Sequence, residues 1–172
     1  NVSMGGANAR FNMFGGTIEN GSVASGKHGG NVYMIRGVFT MNGGTIKGGT
    51  AGGKGGNVML LPQSGATAKF IMNGGTIEGG NAANGGSICV NGLSSTAIFE
   101  MNGGTIKGGT ATTNGGTVFI NGAGDTVTIN GGTIETGTAK AGACIYKNGG
   151  SVGVAAGAYV VVIVTRYWLL VC

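Results

Sequence analysis

One eight-residue phrase returns five times in this chain, and it constrains the fold more than any other feature. It begins at Phe11, Phe39, Phe70, Phe99 and Val127 and closes at Ile18, Ile46, Ile77, Ile106 and Ile134. From Phe39 to Ile46 it reads Phe-Thr-Met-Asn-Gly-Gly-Thr-Ile. The closing isoleucines lie 28, 31, 29 and 28 residues apart. A fixed period of this size means like units stacked on one another, each burying a face that it cannot bury alone.

The units are strands and turns. Phe39, Thr40 and Met41 alternate apolar, polar, apolar, the period-2 pattern of a half-buried strand. Glycine supplies 41 of the 172 residues, and inside helices each would cost about 1 kcal/mol. Collagen needs a strict Gly-X-Y period with abundant proline, and Pro62 is the single proline. Disorder needs high charge and low hydrophobicity, whereas 41% of residues here are hydrophobic and 9% charged.

Within the coil from Phe39 to Leu61, Asn42-Gly43-Gly44 reads as a turn and Thr45 to Lys47 as a second strand. A third strand follows Gly55-Gly56 at Asn57 to Leu60, after a variable loop. The expectation is an all-β, right-handed parallel β-helix with three short strands per coil of 28–31 residues. It has five full coils and a partial one over residues 1–157. The apolar run 158–172 is expected to be a C-terminal strand of the same domain that caps the end or serves assembly. Its β-branched content and Arg166 argue against a membrane helix. Ile145 to Val152 reads as a degraded sixth copy of the phrase, with Gly153 in its charged position.

Equivalent residues of successive coils stack about 4.8 Å apart and form columns. The Phe, Met and Ile of the phrase are expected inside. Asn42, Asn73, Asn102 and Asn130 are expected to form a buried amide ladder, since buried polar groups need partners. Outward columns are Thr17, Thr45, Thr76, Thr105 and Thr133, then Glu19, Lys47, Glu78, Lys107 and Glu135. The latter alternates in sign, which penalises a one-coil slip more than it stabilises. Alternation also turns Tyr33, Met59, Cys89, Phe119 and Tyr146 away from the core. That is an exposed apolar stripe and a candidate contact surface, unless a loop such as Leu61 to Lys69 covers it.

Chemistry is sparse. Glycoside cleavage usually needs two carboxylates facing one groove. Three of the five acids belong to the alternating column, and Glu100 and Asp125 stand apart. His28, the single histidine, falls in a variable loop and reads as solvated. Cys89, Cys144 and Cys172 lack metal-ligand spacing, and Cys172 is a candidate for cross-linking chains. The net charge of +5 is spread along the chain without a basic stripe, which argues against nucleic-acid binding. No catalytic, cofactor or metal residue is expected.

Phe-x-x-Asn at Phe39, Phe70 and Phe99, and Gly-Gly-x-Ile/Val at Gly29, Gly55, Gly85 and Gly115, resemble the repeats of chlamydial polymorphic outer-membrane proteins. They also resemble glycine-rich repeats of large surface proteins from gut bacteria. The likeness spans Phe11 to Lys147 and departs in having Asn, Ser or Thr after Gly-Gly where the family favours Ala. It implies a secreted or surface-displayed, adhesin-like module whose partners are host or surface glycans and proteins. The expected function is therefore a non-catalytic extracellular structural module. The alternatives are a self-assembling filament or lattice subunit, then an ice-binding or polysaccharide-active β-helix. Neither nucleic-acid binding nor membrane insertion is expected.

Overall fold

A computed structural model describes residues 1–156 and 158–161. The chain is an all-β solenoid of about 5 turns, with parallel sheets built from strands about 29 residues apart. Three six-stranded sheets and one four-stranded sheet build it. The first stacks Val2–Met4, Val32–Met34, Val58–Leu60, Ile88–Val90, Val118–Ile120 and Ile145–Lys147. The second stacks Arg10–Met13, Gly37–Met41, Thr67–Met72, Thr96–Met101, Thr126–Ile129 and Ser151–Val154. The third runs from Thr17–Glu19 through Thr45–Lys47, Thr76–Glu78, Thr105–Ile106 and Thr133–Glu135 to Tyr159–Val161.

The fourth sheet falls where the sequence reads as a variable loop. It stacks Ser22–Val23, Thr50–Ala51, Asn81–Asn84 and Thr110–Asn114. Its coils share small inward alanines, Ala51, Ala82 and Ala111, each 3% exposed. A Gly-Gly-Thr/Asn-Ala phrase leads into them at 48–51, 79–82 and 108–111, but its glycines read only as a turn; with this sheet the three-strand coil becomes a four-strand coil.

The phrase itself pairs in register: Phe39 lies beside Phe11 and Phe70, Met41 beside Met13 and Met72, and Ile77 beside Ile46 and Ile106. These columns are the core, and Phe39, Phe70 and Phe99 are fully buried. Their ring centroids stack at 4.7, 5.0 and 5.7 Å from Phe11 upward, within the favourable range for aromatic pairs.

Glycine is required at two columns for different reasons. Gly29, Gly55, Gly85 and Gly115 hold φ of 64–70°, a region that residues with a Cβ avoid. The next residues, Gly30, Gly56 and Gly86, lie so close to the coil above that a Cβ would sit 2.2–2.3 Å from a glycine carbonyl oxygen.

The sixth coil differs from its sequence reading. Ile145–Lys147 joins the first sheet and Ser151–Val154 the second, beside Thr126–Ile129. Gly153 therefore lies opposite Thr128, and Val161 takes the charged position opposite Glu135. The misreading has a physical source: an Asn-Gly turn follows strands of the first sheet as well as the second, at Asn91 and Asn121. Tyr159–Val161 extends the third sheet. The rest of the proposed cap, with Arg166 and Cys172, lies outside the described residues.

Candidate functional site

Two outward columns emerge as read from the sequence. Thr17, Thr45, Thr76, Thr105 and Thr133 are paired neighbours along the third sheet. Beside them Lys47 Nζ lies 3.2 Å from Glu19, and Lys107 Nζ lies 3.6 Å from Glu78. Glu135 continues this column one coil further. These side chains are about half exposed, so each pair contributes roughly 0–1 kcal/mol.

Three polar ladders run up the solenoid. Asn73 donates to Asn42, Asn102 to Asn73 and Asn130 to Asn102, at 2.8–2.9 Å. This is the expected amide ladder, but all four residues are exposed rather than buried, because the turn carries them outside the core. A second ladder links exposed Asn148 to half-buried Asn121 and Asn121 to buried Asn91.

The buried polar column is a different one. Asn31 and Asn57 are 0% exposed, and Asn31 Nδ2 donates to Asn57 Oδ1 at 2.9 Å. Asn31 also donates to the Lys47 carbonyl, and Asn57 to that of Glu78. In the next two coils the Ser87 and Thr117 hydroxyls donate to the Lys107 and Glu135 carbonyls. The column ties the first sheet to the third in four successive coils. Its position, directly after Gly-Gly, is visible in the sequence, but its residue type changes and its burial does not show.

The two remaining acids are also engaged. Glu100 pairs with Lys69 at 2.9 Å and accepts from Asn102 Nδ2. Those two donors hold its carboxyl below the ordinary carboxylate range. Asp125 is 1% exposed and accepts from the backbone N–H groups of Gly92, Ala97 and Gly122. Backbone donors of this kind stabilise a buried carboxylate. Among the described residues no three His, Cys, Asp or Glu side chains gather to hold a metal ion.

The apolar stripe is the main correction. Met59 and Cys89 are 0% exposed and Phe119 is 5% exposed. With Leu61 they form a second hydrophobic cluster, flanked by partly buried Tyr33 and Tyr146. The stripe does point away from the main core, as alternation requires. It is not surface, because the turns from the fourth sheet return over it. A Cβ at Gly85 or Gly115 would lie 2.9 or 2.8 Å from the Cβ of Cys89 or Phe119. Lys54 closes the layer, its Nζ 5.9 Å from the Phe119 ring centroid. Leu61, from the suspected covering loop, joins the cluster. Burial pushes the Cys89 thiol far above its ordinary value.

His28 is half-buried rather than solvated. Its Nδ1 accepts the Lys54 N–H at 3.0 Å, and burial with Lys54 and Lys27 lowers its pKa. With Tyr33, Lys27, Gln63 and Asn1 it borders an open groove of about 610 Å³ in the first coils. No family model, curated protein or solved structure matches the chain.

Proposed function

We propose that this chain is a non-catalytic structural module of an extracellular or cell-surface protein, adhesin-like in that it works by presenting regular polar ladders to a glycan or protein surface. The observation that carries this reading is the engagement of four of its five acids. Glu19, Glu78 and Glu100 are paired with lysines along the outer faces, and Asp125 is enclosed by backbone amides. Carboxylates so held serve register and turn geometry, whereas glycoside cleavage needs two of them facing one groove. The columns of Thr45, Thr76 and Thr105, and of Thr50, Asn81 and Thr110, remain outward for contact. Flow of the chain over immobilised glycans and matrix proteins tests the reading. Saturable binding that weakens when Thr76 and Thr105 are replaced by lysine supports it. Release of reducing sugar from polysaccharide substrates would refute it.

End-to-end self-association is a second reading, favoured by one observation. Phe14 is 78% and Val154 49% exposed, and they follow or end the first and last strands of the second sheet. Stacking one copy's last coil on another's first would cover Val154, which continues the inward Met41 and Met72 column, and set Phe14 against the neighbouring copy's turn at the rim. Light scattering of F14S against the parent checks it, with loss of oligomers expected.

A further inference from the structure

The chain contains ten Asn-Gly steps, from Asn20 to Asn148. Asn-Gly is the dipeptide most prone to spontaneous deamidation. The glycine nitrogen, unhindered by a side chain, attacks the asparagine Cγ. Ammonia leaves, and water opens the resulting succinimide to aspartate or isoaspartate. The attack requires the glycine N–H to give up its proton and the backbone to rotate.

In this solenoid all ten glycine N–H groups donate hydrogen bonds. Gly21 donates to the buried Asn31 Oδ1 at 2.8 Å. Gly92 and Gly122 donate to Asp125 at 2.9 and 2.8 Å. The other seven donate to main-chain carbonyls of a neighbouring coil. Reaction in the folded chain then has to wait for local opening, which is easiest at the ends of a structure.

One step combines a long bond with a place at the end of a sheet. The Gly149 N–H reaches the Ile120 carbonyl at 3.4 Å, the longest of the ten bonds. Asn148 is exposed and follows Ile145–Lys147, which among the described residues is the last strand of the first sheet and pairs on one side only. At the opposite end Asn20 lacks this weakness, because Gly21 is buried against Asn31.

We infer that Asn148 is the deamidation site of the folded protein and that the solenoid shields the other nine. Conversion replaces the amide that donates to Asn121 Oδ1 at 2.9 Å with a carboxylate facing that oxygen. The ladder opens at its last rung and the final coil frays.

The test is peptide mass mapping of the full chain kept in mildly alkaline buffer, folded or in concentrated urea. In urea all ten steps should convert at similar rates. In the folded chain Asn148 should convert first, with Asn102 slowed roughly a hundredfold relative to urea, equivalent to about 2.8 kcal/mol of opening. Amide exchange at Ile145 to Lys147 should quicken as conversion proceeds, and N148Q should abolish both changes. Conversion of Asn102 as fast as Asn148 in the folded chain, or as fast folded as unfolded, would overturn the inference. So would unchanged exchange in fully converted protein.

Discussion

Replacing Asn57 by alanine separates the two kinds of amide column in this molecule. The Asn57 side chain accepts from Asn31 Nδ2 at 2.9 Å and from the Gly49 N–H at 2.8 Å, and donates to the Glu78 carbonyl at 2.9 Å. Alanine leaves the Gly49 N–H and one Asn31 N–H without acceptors in a site closed to water. Two orphaned buried donors at roughly 1–3 kcal/mol each give a loss of about 2–6 kcal/mol. That is a large fraction of the about 5–15 kcal/mol that holds a typical domain together. Asn73 makes the same kinds of amide bond, to Asn42 and from Asn102, but on the surface, where water replaces lost partners. N73A should therefore cost no more than about 1 kcal/mol. Urea unfolding followed by far-ultraviolet circular dichroism reads the difference. With a slope near 2 kcal/mol per molar, the N57A midpoint should fall by roughly 1–3 M and that of N73A by less than about 0.5 M. N57S should recover part of the loss, because Ser87 fills this position one coil on and donates to the equivalent carbonyl. Equal midpoints for N57A and N73A, or no recovery in N57S, would refute the assignment of the buried column as the tie between sheets.

Other expectations follow from the same columns. F70A removes a fully buried ring between Phe39 and Phe99 and should cost about 3–5 kcal/mol in the same urea assay. K47E would stack three carboxylates at Glu19, position 47 and Glu78. It should lower stability by about 0.5–2 kcal/mol at low salt, with the loss shrinking as added salt screens the column. Cys89, buried with a raised thiol pKa, should resist alkylation in the native chain and react once urea unfolds it; rapid native labelling would mean that the stripe is open. The His28 pKa is lowered by folding, so the unfolded chain binds its proton first. Stability should fall as pH drops through the ordinary histidine range, and H28Q should flatten that fall in melting temperature. Glu100, also lowered, contributes stability that is present above the ordinary glutamate value and lost at more acidic pH. E100Q should therefore alter only the lower window.

The repeat determined the stacking. Matched spacing of Phe39, Phe70 and Phe99, and of Ile46, Ile77 and Ile106, 31 and 29 residues in each set, forces like residues to lie above one another, because parallel strands one coil apart are neighbours. The core columns, the threonine column, the alternating charges and the Asn42 ladder were all legible for that reason. The fourth sheet was not. Thr50-Ala51, Asn81-Ala82 and Thr110-Ala111 each recur after Gly-Gly, but a polar residue and a small alanine after a turn carry little strand signal.

Burial was decided by tertiary structure. Period-2 alternation says on which side of a strand Met59, Cys89 and Phe119 lie, but not that Gly85 and Gly115 fold back over them. It says that Asn57 follows a turn, as Asn42 precedes one. Only the path of the chain makes the first an enclosed link between sheets and the second a rung in solvent. The physical reason is that a column is a one-dimensional property, set by the period, whereas exposure depends on which other segment returns to cover it.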